Sequence, residues 1–312
     1  MIARILKRLA LIFIGLVLLS LTWYGIQRGF ADNRRIQVAS TSAAPVTLSK
    51  HDALRVGAYN IAHGRGGKLG ESNWTSEVRK EEEAHLHKIA AQITEADLDI
   101  VVLNEVDFNA SWSGGRNQAR LIAEKSGFPY VAELYNIDIV LPFFKLQFGN
   151  AILSKLPLKD LQAIELPHVK RWEVYLAGKK NALEATVDFQ GREVRIVTIH
   201  LETRDKAVRM ESVEILLDRI NQSDIPYILL GDFNSQRSEP GTESTAVETL
   251  ITRGGFKTDT VAESWKTLPS ESPKYGIDWI LANAPLETYN SRIINSPLSD
   301  HLMVIGEVSF SD

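Results

Sequence analysis

The amino-acid sequence predicts a mixed α/β domain preceded by one apolar helix, and three observations carry this. Segments with apolar residues at three- and four-residue spacing alternate with short continuous apolar runs, the pattern of helices interleaved with buried strands. Two strand-like segments, 181–189 and 193–201, flank Gln190-Gly191 as a hairpin, so the sheet is not purely parallel. Residues 9–26 form an uncharged apolar run of 18 residues, preceded by Arg4, Lys7 and Arg8.

As a helix, that run spans roughly 27 Å, close to the ~30 Å of a bilayer's hydrocarbon core. Residues 1–30 therefore read as a transmembrane anchor or uncleaved signal. Small residues at Gly29 and Ala31 also permit cleavage after Ala31, which would release a secreted protein. Arg28, Arg34 and Arg35 balance the basic residues on the first flank. The α-amine tips the orientation to N-terminus inside, with the domain periplasmic or extracellular. Residues 31–50, including Ala39-Ser40-Thr41-Ser42-Ala43-Ala44-Pro45, read as a polar tether, and 51–312 as the folded domain.

Within the domain, 55–61 reads as a strand ending on Asn60, and 63–70, with four glycines, as a loop. Residues 77–96 are expected to be helical, with Leu86, Ile89, Ala90 and Ile93 on one face. A buried strand follows at 99–106, ending on Asn104 and Glu105, then a helix at 116–126 closed by Gly127. Residues 137–148, with Leu141-Pro142-Phe143-Phe144, read as an apolar loop that packs inward or touches lipid. A strand at 148–153 leads to the hairpin. Beyond it come a helix at 207–221, a buried strand at 225–230, a helix at 245–252, and strands at 277–282 and 303–309.

Composition removes several function classes. Cysteine is absent, which excludes disulfide staples, thiolate metal sites and a cysteine nucleophile. Of 35 Lys and Arg and 39 Asp and Glu, seven and one fall in the first 50 residues, which leaves 51–312 at net −10. Such a surface is a poor generic sponge for nucleic acid, although a metal ion can supply local positive charge.

The chemistry-bearing residues sit at strand ends: Asn60, Glu105, His200, Asp232 with Asn234, Asp278, and Asp300 with His301. Alone, each reads equally well as a turn, cap or structural group. Together, carboxylates and carboxamides without cysteine suit a hard cation such as Mg²⁺ or Mn²⁺. Two histidines among carboxylates suit proton transfer near neutral pH. A hard metal, carboxylates, histidines and amide donors describe phosphoryl ester hydrolysis.

Leu103-Asn104-Glu105-Val106, Gly231-Asp232-Phe233-Asn234, Ile277-Asp278-Trp279-Ile280 and Ser299-Asp300-His301 resemble, in order and separation, the motifs of the endonuclease/exonuclease/phosphatase superfamily. The resemblance covers about residues 53–309; the family usually carries Gln where this chain has Asn104. It implies a four-layer α/β/β/α sandwich with two mixed β-sheets. It also implies a divalent-metal phosphoester hydrolase, usually Mg²⁺-dependent, in which Glu105, Asn60 and Asp300 serve the metal. Asp232 then positions or deprotonates the attacking water, Asn234 holds a phosphate oxygen, and His301 contacts the phosphate, oriented by Asp278. His200, in Thr198-Ile199-His200-Leu201, looks like the deoxyribonuclease-I-like and sphingomyelinase-like branch, where a second histidine offers an acid for the leaving oxygen.

Arg116, opening a helix after Ser113-Gly114-Gly115, and Asn150 are the candidate substrate-binding residues. The scattered basic residues, among them Lys179-Lys180, read as solvated surface. The substrate expected is a phospholipid headgroup, a nucleic acid or a small phosphate ester, with a phosphodiester favoured and no protein partner implied. An extracytoplasmic nuclease and a catalytically silent, membrane-displayed binding domain of the same fold are the alternatives.

Overall fold

Alternating side chains on the central strands of one sheet feed two separate layers of core, and this dictates a stack of two sheets between helices. The computed structural model describes residues 2–45, 53–75, 77–238, 244–260 and 264–311. The first half of the chain contains α1 (Ile2–Gly29), β1 (Ile36–Ser40), β2 (Leu54–Asn60), α2 (Glu82–Glu95), β3 (Ile100–Ala110), α3 (Gln118–Ser126), β4 (Tyr130–Leu141) and β5 (Phe144–Ser154). The second half contains β6 (Lys159–Glu165), α4 (Arg171–Leu176), β7 (Asn181–Phe189), β8 (Arg192–His200), α5 (Lys206–Asn221), β9 (Tyr227–Asp232), α6 (Ala246–Gly254), β10 (Phe256–Lys257), β11 (Asp278–Asn283), β12 (Leu286–Ile294) and β13 (Met303–Phe310).

Seven strands form one sheet in the order β1-β4-β5-β3-β2-β13-β12, and six form the other in the order β10-β11-β9-β8-β7-β6. The β2–β3 and β8–β9 pairs are parallel and the other ladders antiparallel, so both sheets are mixed. Leu54, Val56 and Ala58 of β2, with Ile100 and Val102 of β3, belong to the core shared with the six-stranded sheet and α5. Tyr59, Val101 and Leu103 belong to the second core, with Leu86 and Ile89 of α2 and Ile122 of α3. The period of two along a strand makes this split, and each such fully buried side chain is worth roughly 1.5–3 kcal/mol. The result is the expected four-layer α/β/β/α sandwich.

The helices start where side chains satisfy their free N–H groups. Asn117 caps α3 by accepting from Arg120 N, and Asp205 caps α5 at Ala207 N and Val208 N. Of the helix expected over 77–96, the first turn, Glu77–Glu81, is a 3₁₀ turn that leads into α2. β1, β4, β6, α4, β10 and β12 have no counterpart in the sequence-based expectation.

Two expectations need correction. Residues 36–40 are not tether: they form β1, an edge strand paired with Tyr130–Leu134 of β4. It is short, and as an edge strand it is held by backbone hydrogen bonds with no side chain fully buried, so Ile36-Gln37-Val38-Ala39-Ser40 leaves only a weak signature. Residues 46–52, which include the end of the expected tether and the start of the expected domain, lie outside the described residues. Residues 137–148 are not a loop either: β4 and β5 continue to a tight turn at Pro142-Phe143, with Leu141 opposite Phe144. Phe143, at its tip, is 98% exposed.

Among the described residues α1 is the one helix long and apolar enough to cross a membrane, a property it shares with signal sequences. Its last turn is fastened to the domain. Arg28 donates to the carbonyls of Asp138 (3.3 Å) and Val174 (3.2 Å). Arg34 joins Gln27 Oε1 (3.0 Å) to Asp138 Oδ2 (2.9 Å).

Candidate functional site

Strand register brings the chemistry together. In the six-stranded sheet His200 stands opposite Asp232 in the parallel β8–β9 ladder, and Asp232 stands opposite Asp278 in the antiparallel β9–β11 ladder. In the seven-stranded sheet Asn60 stands opposite Asn104, the residue before Glu105. Glu105 itself sits in a bulge: its φ is 51°, and the β3–β5 register slips between Leu103 and Val106. A bulge re-aims a side chain, and here it turns a carboxylate out of a buried strand. His63 (φ 56°) and Asn234 (φ 47°) are also left-handed. Such conformations cost about 1–3 kcal/mol each and gather at functional sites.

Asp232 is the hub. Its Oδ2 accepts from Asn60 Nδ2 (3.1 Å) and lies 3.9 Å from His200 Nε2 and 3.8 Å from His301 Nε2. Its Oδ1 accepts from Asn234 N (2.8 Å). Its backbone N–H donates to Asn104 Oδ1 (3.1 Å), whose amide donates to Asn150 Oδ1 (2.9 Å), whose amide donates in turn to the Asn181 carbonyl (3.2 Å). This buried amide chain needs Gly231: with φ at 137°, a Cβ there would lie 2.0 Å from the Ile199 carbonyl and 2.8 Å from Asn104 Oδ1.

Charge divides the site. Burial works against a charged ring at His301, but Asp278, bonded to Nδ1 at 2.9 and 3.2 Å, and then Asp232, lift its pKa to about 10. Burial and then the Lys180 ammonium push His200 well below the usual imidazole value. Lys180 Nζ lies 2.9 Å from His200 Nε2 and donates to the Leu201 carbonyl (3.1 Å). Burial, partly offset by His301, raises Asp232 to about 6. Burial also opposes ionisation of Glu105, but His63, His200, His301 and Lys180 outweigh it and hold the pKa down to about 2.

Oxygens of Asp232 and Asp278 and a ring nitrogen of His301 lie within 4.8 Å of one another. A protonated imidazole has no free lone pair for a metal, so this trio fits proton handling better than cation binding. Asp300 and Glu105 fit a cation better. The Arg65 guanidinium pairs with Asp300 and lies 3.9 Å from Glu105 Oε2, so the two carboxylates already face one positive group. Their oxygen donors suit a hard divalent ion.

Several sequence-based expectations change here. Asn150 is fully buried with its amide spent on Asn104 and Asn181, so it braces the site and does not face substrate. Arg116 is not brought to the cluster; it pairs with Glu83 on the surface (3.4 Å), and Asn117 occupies the helix start. Asn234 is brought to the cluster in a left-handed conformation, and its amide donates to the Leu201 carbonyl (3.1 Å). His200 is brought to the cluster, but its Nε2 faces the Lys180 ammonium, and burial and then that ammonium push its pKa down, which favours an acceptor over an acid. Lys180 is part of the site, not solvated surface.

The sequence reading also missed a layer behind Glu105. His63 Nε2 lies 3.5 Å from Glu105, and His63 Nδ1 bonds Asp107 (2.7 Å), whose other oxygen accepts from Trp112 Nε1 (2.6 Å). Burial disfavours the charged His63 ring, but Asp107 overcomes this and raises its pKa. The available signal was proximity: His63 and Arg65 follow Asn60 directly, and Asp107 is two residues beyond Glu105 on the same strand. Beside Glu105 and His200 opens a cavity of about 360 Å³, walled by Ile137, Phe148, Val174, Lys180 and Glu202.

Similarity to known proteins agrees with this geometry. Over 219 residues the chain is 28% identical to nocturnin of Drosophila melanogaster, a match covering 65% of this chain but only 32% of that protein's length. A solved endonuclease/exonuclease/phosphatase from Beutenbergia cavernae superposes with a TM-score of 0.61 at 23% identity, covering 83% of this chain and 72% of that one. The human nocturnin catalytic domain, solved with a bound sulfate anion, superposes with a TM-score of 0.59 at 17% identity, covering 89% and 98%. These two solved structures share the fold. The model of the endonuclease/exonuclease/phosphatase family matches residues 57–301, and the chain belongs to that family of phosphoester hydrolases, typically dependent on divalent metals.

Proposed function

We propose that the protein is a membrane-anchored phosphodiesterase that uses Mg²⁺ and accepts Mn²⁺. One observation carries this reading: two buried histidines, whose pKa values their neighbours push in opposite directions, lie within 3.9 Å of the same Asp232 oxygen. Titratable neighbours pushed apart in this way are the mark of acid–base work.

Glu105, Asn60 and Asp300 would hold the metal. When bound, a divalent cation withdraws charge from the phosphate and lowers the pKa of coordinated water. The protein's own groups do the rest. Asp232, its pKa raised to about 6, accepts a proton from the attacking water. His301, kept protonated by Asp278, binds the phosphate and is the proton donor for the leaving oxygen. Asn234 and Lys180 hold phosphate oxygens, while neutral His200 accepts from Lys180 and fixes its direction. A diester has one leaving alcohol to protonate and one negative charge to bind, which this set of groups suits. With α1 as a single-pass anchor, the positive-inside balance favours a domain outside the cytoplasm.

The test uses the full chain in detergent with bis(p-nitrophenyl) phosphate. Hydrolysis is expected with Mg²⁺, lost on chelation and restored by metal, and lowered by about 10²–10³ in Glu105→Gln. Turnover that persists under chelation or in the variant sinks the reading. Plasmid nicking under the same conditions, absent in Glu105→Gln, would select the nuclease alternative.

A further inference from the structure

The cavity beside Glu105 and His200 has one wall that the reaction does not explain. That wall is α4, a helix of six residues with two unlike faces. Glu173 and Val174, with Ala177 just past the end of the helix, line the cavity. Trp172, Tyr175 and Leu176, at i, i+3 and i+4 spacing, form the other face and are 58%, 77% and 52% exposed. Three large side chains left in water on one short helix want a partner.

Three observations place a lipid surface there. The first is covalent connection and distance: Arg28, two residues beyond the apolar run of α1, donates to the Val174 carbonyl at the middle of α4 (3.2 Å). The end of the membrane helix and the exposed helix are therefore adjacent. The second is the last turns of α1, where Trp23 and Tyr24 supply the aromatic residues that favour the headgroup level. The third is charge: exposed Lys170 precedes α4 and exposed Arg171 opens it, a basic edge suited to anionic headgroups.

We infer that α4 is an interfacial helix and that the substrate is a membrane lipid, whose phosphoester enters the cavity directly from the bilayer. This rests on the phosphodiesterase reading above and names its substrate class. Trp172, Tyr175 and Leu176 sit at the acyl boundary, the basic residues meet the headgroups, and the inner face of α4 guides one phosphate towards Asp232. Water adds its oxygen to phosphorus, the bond from phosphorus to the leaving alcohol breaks, and the water's proton ends on that alcohol.

The experiment uses the full chain in nanodiscs of equal parts phosphatidylcholine, phosphatidylethanolamine and phosphatidylglycerol. Two rates are read on each protein: headgroup release from the bilayer, and hydrolysis of soluble bis(p-nitrophenyl) phosphate. Trp172→Ser/Tyr175→Ser/Leu176→Ser is expected to lose about tenfold or more on bilayer lipid and to keep the soluble rate within about twofold. Trp172→Phe/Tyr175→Phe/Leu176→Ile is expected to keep both. Brominated lipid should quench wild-type tryptophan fluorescence more than that of Trp172→Phe.

An unchanged lipid rate in the serine variant overturns the inference, and so does a parallel fall in both rates, which would make α4 merely structural. Conversion of a dimer to a monomer by the serine variant also overturns it, by making a second copy the occupant. Wild type that cleaves the soluble ester but no bilayer lipid removes the lipid substrate and leaves the phosphodiesterase reading standing. Wild type that cleaves neither removes both.

Discussion

The two sides of the cleft use the same residue type to opposite ends. His301 and His200 are equally buried, and each lies under 4 Å from Asp232. His301 faces Asp278 and is held charged; His200 faces Lys180 and is held neutral. Burial favours the neutral ring on both sides; Asp278 and then Asp232 overcome it at His301, whereas Lys180 reinforces it at His200. The acid side and the acceptor side are therefore written into β11 and into the turn before β7, and not into the histidines.

The strongest way to break this asymmetry is to erase the carboxylate. Asp278→Asn should leave His301 buried without its counter-charge, so that its pKa falls from about 10 towards and below the usual ~6.5. Loss of a positioned proton donor should lower kcat by about 10²–10⁴, read on a soluble diester, with the imidazole titration followed by NMR. A histidine that stays charged in this variant would refute the assignment.

A second test moves the hub between the two sides. Gly231→Ala forces a Cβ onto the Ile199 carbonyl, at a φ that alanine rarely adopts. The expected cost is about 2–4 kcal/mol in chemical denaturation, because strand spacing or the Asn104 bond must give. Stability within about 0.5 kcal/mol of wild type would mean that the amide chain does not fix Asp232.

Erasing the other neighbour should act more gently. Lys180→Gln removes the ammonium but not the burial, so His200 should rise part of the way to its usual pKa. Rate should fall about tenfold as one phosphate-directed cation is lost. If His200 does not move, burial alone sets its state and the comparison loses its second half.

The smallest effect lies away from the cleft. Arg35 and then Lys179 hold the Glu165 carboxylate below its usual range. A depressed acid adds stability above its ordinary pKa of ~4.3, and that stability is lost as pH falls through the lowered value. The pair is exposed, so Arg35→Ala should cost under about 0.5 kcal/mol near neutrality. The difference should vanish in acid, as thermal melts across pH would show.

Most of the architecture was legible because strand ends carry their own marker, an apolar run stopping on a carboxylate or amide. That pattern placed Asn60, Glu105, His200 and Asp232 on the right elements before any contact was known. Strands that rely on backbone pairing left no such trace: β1 is only five residues long with none fully buried, and β4 is interrupted by Asn136 and Asp138. Asn150 was misjudged because burial of a polar residue is a property of the fold, not of its neighbours in sequence. Lys180 was misjudged for the same reason, since a lysine doublet reads as solvated until β7 carries its second member into the cleft. The Asp278–His301 pair was legible through the family resemblance, whereas the state of His200 was not, because it depends on burial and on Lys180, 20 residues away in the chain.

β1 has one more consequence. It shields the backbone of Tyr130–Leu134, the outermost part of the seven-stranded sheet. A protein trimmed after Ala31 keeps that cover, whereas one begun at residue 45 to gain solubility presents a bare row of donors and acceptors to its neighbours. Such a truncation should self-associate edge to edge. The residues between the apolar helix and the domain are thus a guard against aggregation, and any trimmed form of this enzyme has to retain them.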